Sequence, residues 1–463
     1  MNIKVLKSFD LGIPAKQVRS IPVNMGNGRE AVLFVYSCDG GVDPGEEYYH
    51  HPTDTLKLAL FDWDGSLLWK KDLGKGVIPG IWFCPVLAID LDMDGVDEIY
   101  FLNNKNPDTP FSFEYRRLEA INPLSGEIIG SWEWPKHTFN ERLSLCYRFY
   151  IVAGYSHGEP VLVTSQGTYG DMYLQAYGPG MVKKWEKLIS KDERGPRASH
   201  LTPVLDFNDD GVDELFWGER LISLEDGHEV LCCDRDKYNG HSDLVIPYLN
   251  FETGEKLIFT CREDDEQEGE PRIISYREDG SYKWTAVKSK GHMHFAWLAT
   301  IGEPGNERRI FMVMQEIQYW GETKLERAEP IIRYFDAYTG EQIETEFPCP
   351  GHLLIPVDIN GDGISEFYCS GGEYGGWLID WHGNKLAKID GMQVKNGYML
   401  KEVPCEQLMV ADEQGTVRIF GDADAAGSGI FIKRHEYKNY LKFMDKMMAT
   451  GYNNYRSNIS CGI

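Results

Sequence analysis

No apolar run in this chain reaches the length of a membrane-spanning helix, and Met1–Gly12 lacks the apolar stretch of a secretory leader. Basic residues are few beside acidic ones, 47 Lys and Arg against 72 Asp and Glu, a formal charge of −25. That balance argues against nucleic acid and against an anionic membrane as partner. The ten cysteines are scattered, with one adjacent pair (Cys232–Cys233) and no C-x-x-C. Reduced thiols in a cytoplasmic protein are expected from this usage, and a secreted disulfide framework is not. No low-complexity linker divides the chain, so one domain is expected over 1–463, with a helical tail from about 430.

What the chain has instead is repetition. D-L-D-M-D-G-V-D-E at Asp90–Glu98, D-F-N-D-D-G-V-D-E at Asp206–Glu214 and D-I-N-G-D-G-I-S-E at Asp358–Glu366 lie 116 and then 152 residues apart. Each is bracketed by apolar runs, as in Pro85–Ile89 and Ile99–Leu102. An apolar run, an acidic Gly-containing turn and a second apolar run predict a β-hairpin with carboxylates gathered in its turn. Short x-G-x turns followed by β-rich, often Trp-containing segments recur at Gly65, Gly126, Gly180, Gly227, Gly280, Gly340 and Gly383. Their spacing of roughly fifty residues is that of four-stranded propeller blades.

The predicted unit therefore runs inner strand, acidic turn, second strand, third strand, x-G-x turn, outer strand. Tyr398–Phe420 supplies three strands without a fourth, and Ile3–Leu11 resembles a spare outer strand ahead of the first inner strand at Val18–Val23. Joining the two in one blade closes the ring and leaves no open sheet edge. The expected fold is all-β, a single β-propeller of eight four-stranded blades, or seven if the irregular unit Cys146–Leu188 is an insertion. In the tail, Tyr437, Tyr440, Leu441, Met444 and Met448 stand at helical spacing and predict a short C-terminal helix on one face of the ring.

The acidic turns carry the oxygens that a hard cation needs, with Gly permitting the tight bend. The candidate Ca²⁺ ligands are Asp90, Asp92, Asp94 and Glu98; Asp206, Asn208, Asp210 and Glu214; and Asp358, Asn360, Asp362 and Glu366. No helix pair flanks them, so they are not EF-hands. The same turns also fold as Asx-rich hairpins that bind nothing. Blade turns lie away from the axis, so Ca²⁺ here would staple a blade and not touch a substrate.

A second pattern emerges by counting back from the turn glycines. His200, His294 and His352 stand eleven residues before Gly211, Gly305 and Gly363, as Cys84 and Tyr147 do before Gly95 and Gly158. His241 and His292 stand thirteen before Gly254 and Gly305, which at strand period is the same face. Five histidines thus fall at one level of four successive blades, beside Arg197, Arg148 and Tyr147. Such a ring around a funnel offers bases, acids and cationic donors. A Gly-His pair entering an inner strand is also a purely structural device in some propellers. Two long loops, Tyr48–Thr53 with His50 and His51, and Asn103–Arg117 with Lys105, Arg116 and Arg117, are long enough to reach over the funnel.

The D-x-D-x-D-G-x-D-E turns, the Asn239-Gly240-His241-Ser242-Asp243 entry and the Tyr49-His50-His51-Pro52-Thr53 loop together resemble a known group. They are similar to the β-propeller polysaccharide lyases of rhamnose–uronate glycans, the rhamnogalacturonan-lyase and ulvan-lyase-like families. The resemblance implies β-elimination at a uronic acid: one group withdraws the C5 proton, another protonates the leaving O4, and cationic donors neutralise the carboxylate. It implies His200 or His294 with Tyr147 as the proton-transfer pair, Arg197 and Arg148 at the carboxylate, and His51, His241, His292 and His352 in the substrate subsite. It also implies an acidic oligosaccharide or polysaccharide of rhamnose and uronic acid as partner, structural Ca²⁺ and no organic cofactor. The missing leader points to imported oligosaccharides and exo action.

Some relatives on this fold are rhamnose-releasing glycosidases, which use a carboxylate pair. The axial ring, as read from sequence, is poor in Asp and Glu apart from Asp243, which favours elimination. A non-catalytic carbohydrate-binding propeller would instead present aromatics such as Trp82, Trp297 and Tyr398 at the funnel mouth. A protein scaffold would have a filled funnel.

Overall fold

The computed structural model describes residues 1–42, 52–110, 114–135, 147–263, 270–286, 292–316, 318–320, 325–327, 330–345, 347 and 354–437, without the side chains of 295, 318–320 and 325–327. Eight four-stranded antiparallel sheets form the blades of a propeller, and a two-stranded ribbon (Gln318–Trp320 with Leu325–Arg327) is inserted in the sixth. In chain order blade 1 spans Gln17–Asp72, blade 2 Val86–Glu133, blade 3 Phe149–Ile189 and blade 4 Val204–Cys232. Blade 5 spans Ser242–Ala286, blade 6 His292–Ile343 and blade 7 Leu354–Lys388; blade 8 joins Met392–Asp422 to Ile3–Asp10.

The irregular unit is a complete blade, so the count is eight. Ile3–Asp10 pairs antiparallel with Thr416–Asp422 and closes the ring, because an unpaired edge on either terminus would leave a row of unsatisfied backbone groups. One boundary differs from the sequence expectation: the inner strand of blade 8 is Met392–Gly397, ahead of Tyr398. Helix α1, Gly429–His435, is capped by Ser428 and lies at the start of the predicted tail; residues beyond 437 fall outside the described part. Its Lys433 donates to the Phe251 carbonyl and its Arg434 to Thr300 Oγ1, so it bridges blades 5 and 6.

The two sequence repeats turn out to be joints between blades. Trp69, Trp185 and Trp284, on the outer strands of blades 1, 3 and 5, donate their indole N–H to the Pro123, Leu224 and Ala337 carbonyls of the following blade. Each indole lies on the turn glycine of that next blade, and a Cβ on Gly227 would sit 2.7 Å from the Trp185 ring. Glycine is required there both by contact and by φ of 76°.

The eighth residue of each acidic turn staples backward. Asp213 accepts from the Tyr155 N–H at 2.6 Å and donates its own N–H to the Tyr155 carbonyl at 2.8 Å. Asp97 with Asn24, and Ser365 with Thr300, repeat this reciprocal pair. The core is the set of apolar faces between blades. Inner strands such as Val86–Ile89 and Leu354–Val357 are buried throughout, and outer strands such as Leu67–Asp72 are mostly exposed.

Candidate active site

Each acidic turn is organised by its own residues. The terminal Glu98, Glu214 and Glu366 accept the backbone N–H of the second turn residue, Leu91, Phe207 and Ile359. The first aspartate of each accepts the glycine N–H, at Gly95, Gly211 and Gly363. Asp90, Asp92, Asp94 and Glu98 bring four carboxylate oxygens within 4.8 Å of one another. Burial, reinforced by the neighbouring carboxylates, pushes Glu98 and Glu214 up to about 7 and Asp358 up to about 8. Glu214 Oε1 and Asp358 Oδ1 are buried without a hydrogen-bond partner. Orphaned, crowded carboxylate oxygens of this kind fit a Ca²⁺ ion, whose bonds of about 2.3–2.6 Å would satisfy them together.

The axial histidines form a different assembly. Blades 5 and 6 present the same arrangement twice: His241, Asp243 and Glu263, then His292, His294 and Glu316. The backbone explains it. Pairing of Ser242 with Arg262 is followed by Leu244 with Cys261, so Asp243 is an extra residue; His294 is likewise extra between Met293 and Phe295. A bulge turns one side chain out of the pleat, and here both bulges turn a polar residue to the axis. Glu263 stands opposite His241 through its N–H bond to that carbonyl, and Glu316 is the cross-strand partner of His292.

The two copies interlock. Glu263 reaches His241 Nε2 at 3.3 Å and His292 Nδ1 at 3.1 Å. Asp243 Oδ1 lies 3.8 Å from His294 Nδ1 and 3.9 Å from His200 Nε2, and Glu316 meets His294 Nε2 at 2.7 Å. The His200 and His241 rings are 4.4 Å apart. Tyr169, from the loop between the second and third strands of blade 3, shares a hydrogen with His200 Nε2 at 3.2 Å. Its ring lies 4.4 Å from that of His241, with the Arg148 guanidinium 5.4 Å above it.

Burial dominates the electrostatics. It pushes the Asp243 carboxyl up to about 7, against the pull of His294. It pushes His241 down to about 4 and His200 further below the imidazole range, where His241 and Arg148 add to it. For His294 burial is outweighed by Asp243 and Glu316, which hold the ring protonated up to about 10. For Glu263 burial is outweighed by His292, His241 and His294, which hold it down at about 2.

His200, His241, Asp243 and Glu263 each offer a ligand atom within 4.8 Å of the others. Bonds of about 2.0–2.5 Å to a divalent cation separate its ligands by about 3–4 Å, a range that the 3.9 Å between Asp243 and His200 and the 3.3 Å between Glu263 and His241 both meet.

No protein-family model matches the chain. Over 235 residues it is 23% identical to rhamnogalacturonan exolyase YesX of Bacillus subtilis, a match covering 42% of this chain and 37% of that relative's length. The solved structure of the exotype rhamnogalacturonan lyase YesX superposes with a TM-score of 0.70 at 17% identity, over 89% of this chain and 75% of that one. The Bacillus licheniformis rhamnogalacturonan lyase PL11 gives 0.71 at 16% identity, over 97% and 81%. The fold is that of the rhamnogalacturonan lyases.

On this fold the sequence-derived residues separate into groups. His200, His241, His292 and His294 come together with Arg148 nearby, and His51 and His352 lie outside the described residues. Tyr147 packs between Phe83, Phe149 and the Arg116 guanidinium, and Tyr169 is the tyrosine that reaches His200. Arg197 donates to the carbonyls of Ser190, Glu193 and Gly195, which places it as a brace for its own loop. Lys105 pairs with Glu119, and Arg117 with Ser131.

The axial ring is also richer in acid than the sequence suggested. Glu263 and Glu316 arrive from second strands, where no fixed spacing to the turn glycine marks them. Asp243, the one axial acid the sequence did show, stands eleven residues before Gly254, the position His200 and His294 hold in their own blades.

Proposed function

We propose that the protein is a polysaccharide lyase cleaving a rhamnose–uronic acid linkage by β-elimination. The observation that carries this reading is the buried axial cluster, in which every carboxylate is matched to an imidazole. Glu263 is held down by His292, His241 and His294 and Glu316 is paired with His294, while Asp243, the one carboxyl pushed up, faces His294 and His200. The likeness to rhamnogalacturonan lyases supports the same class. Trp82 and Trp297 are buried and Tyr398 leans on α1, which does not favour an aromatic binding mouth.

A divalent cation held by His200, His241, Asp243 and Glu263 would neutralise the uronate carboxylate and so acidify C5. The protein groups then divide the proton transfers. Tyr169, beside the Arg148 guanidinium and the cation site, stands to take the C5 proton as its phenolate, and the electron pair left at C5 forms the C4–C5 double bond as the C4–O4 bond breaks. His294, held protonated between Asp243 and Glu316, stands to give a proton to the leaving O4. Arg148, 4.8 Å over Trp82, adds positive charge on the Tyr169 side.

Ca²⁺ in the three acidic turns is a structural part of the proposal, supported by the orphaned oxygens of Glu214 and Asp358. A cytoplasmic setting is supported by the free thiols of the described cysteines, and imported oligosaccharides are the substrate form that setting calls for. The test is absorbance near 235 nm during incubation with rhamnose–galacturonate oligosaccharides, with and without a chelator. A chelator-sensitive rise is expected, because only elimination makes the conjugated double bond. New reducing ends without absorbance would overturn elimination in favour of hydrolysis.

A further inference from the structure

The axial cluster adjoins a second buried network, centred on Glu219. Glu219, in the turn between the second and third strands of blade 4, is fully buried. Its Oε1 accepts from Ser242 Oγ at 2.6 Å, Arg262 Nε at 2.9 Å and Thr260 Oγ1 at 3.3 Å. Its Oε2 accepts from Arg262 Nη2 at 2.6 Å and Tyr276 Oη at 2.8 Å. Asp234 takes a further bond from Arg262 at 2.9 Å, and the Tyr238 ring covers that guanidinium at 3.9 Å.

The residues that Glu219 grips are the chain neighbours of the axial ligands. Ser242 lies between His241 and Asp243, and Arg262 precedes Glu263. Ser242 and Arg262 are cross-strand partners at the last regular pair before the Asp243 bulge. Ser242 is also bridged to Ser199, the residue before His200, and the His200 N–H donates to the Asp243 carbonyl at 3.1 Å. The three positions 199, 242 and 262 therefore meet at one point, and four axial side chains leave from it in the opposite direction.

We infer that Glu219 is a positioning residue for the axial site, acting through the Ser242 hydroxyl and the Arg262 guanidinium to fix His200, His241, Asp243 and Glu263 as a cation-binding set. The inference rests on the cation held by those residues in the proposed function. A bulge is a local irregularity with competing registers. A slip of one residue there would turn Asp243 into the sheet and expose Ser242 in its place. A carboxylate accepting five hydrogen bonds opposes that slip because Ser242 must stay on its side of the sheet. Its burial is compensated by Arg262, so the network costs little in stability while both partners remain.

The experiment is a Co²⁺ titration of the full chain with Ca²⁺ present to fill the acidic turns, read by the visible bands that imidazole ligation gives. Thermal midpoint is recorded beside it. Wild type, Ser242→Ala, Ser242→Thr and Glu219→Gln are compared. Ser242→Ala and Glu219→Gln are expected to weaken Co²⁺ binding about 10–100-fold, the range for groups that orient metal ligands. Ser242→Thr keeps the hydroxyl and is expected to stay within about threefold of wild type. Equal binding in Ser242→Ala and wild type would overturn the positioning role and leave the cation reading standing. Absence of imidazole-type bands in wild type would overturn both. If Glu219→Gln does not fold, the Ala and Thr variants at Ser242 decide the matter alone.

Discussion

The acidic turns and the axial cluster both gather carboxylates, yet they are built in opposite ways. Every ligand of a turn lies within nine consecutive residues, and the backbone N–H groups of those residues organise it. The axial cluster draws on blades 3, 4, 5 and 6, and its members are up to 147 residues apart between Tyr169 and Glu316. The first two turns are partly exposed to water and the third is mostly buried, so it is the buried oxygens of Glu214 and Asp358 that ask for an ion. The cluster is buried, so each charge in it must meet an opposite one or an ion. Local motifs thus serve joints between blades, and chemistry is left to the place where blades converge.

That division is broken most directly at Asp243. Asp243→Asn keeps the volume and removes the charge facing His200 and His294, and kcat is expected to fall about 10³-fold with the thermal midpoint nearly unchanged. Retention of more than a tenth of the activity would mean that the convergence point is not the reactive one. Tyr169→Phe is expected to lower kcat about 10²-fold with KM little altered, measured by the same 235 nm assay.

The turn side of the comparison gives the reverse pattern. Asp213→Ala removes the acceptor for the Tyr155 N–H between blades 3 and 4, and about 2 kcal/mol of stability should go with it in denaturant unfolding. The kcat of the folded fraction should stay within about twofold.

A smaller effect separates the turns by pH. Without a cation, Glu98, Glu214 and Asp358 have folded values raised to about 7, 7 and 8, so their contribution to stability is full below their ordinary range. That contribution is lost as pH rises through the raised values. Bound Ca²⁺ requires the deprotonated form, so the gain in thermal midpoint on adding Ca²⁺ to chelated protein should grow from about pH 5 to about pH 8. A gain independent of pH would remove these carboxylates from the ion's ligand set. The smallest change is expected for Tyr147→Phe, within about twofold of wild-type kcat, because its ring is packed among Phe83, Phe149 and Arg116. A large loss there would restore it as the tyrosine of the proton-transfer pair.

Much of the ring was legible because each blade repeats the same local grammar. The glycines at 65, 126, 180, 227, 280, 340 and 383 all have positive φ, and the spare strand Ile3–Asp10 does close blade 8. The histidines were legible for the same reason, since inner strands begin at a fixed distance from their turns. Tyr169, Glu263 and Glu316 were not. They sit at loop and second-strand positions whose distance from any turn glycine varies from blade to blade.

By itself, then, the sequence determined the repeat, a ring of seven or eight blades with its composite closure, the acidic turns and the level at which histidines enter the funnel. These follow from hydrogen bonds and φ angles set within about ten residues of chain. The tertiary structure alone decided that Asp243 and His294 leave the pleat at matching bulges, that Tyr169 rather than Tyr147 meets His200, and that Arg197 turns to its own loop. Those outcomes depend on how neighbouring blades press together around the axis, and the proximity of groups some forty to a hundred and fifty residues apart is a property of the closed ring, not of any segment in it.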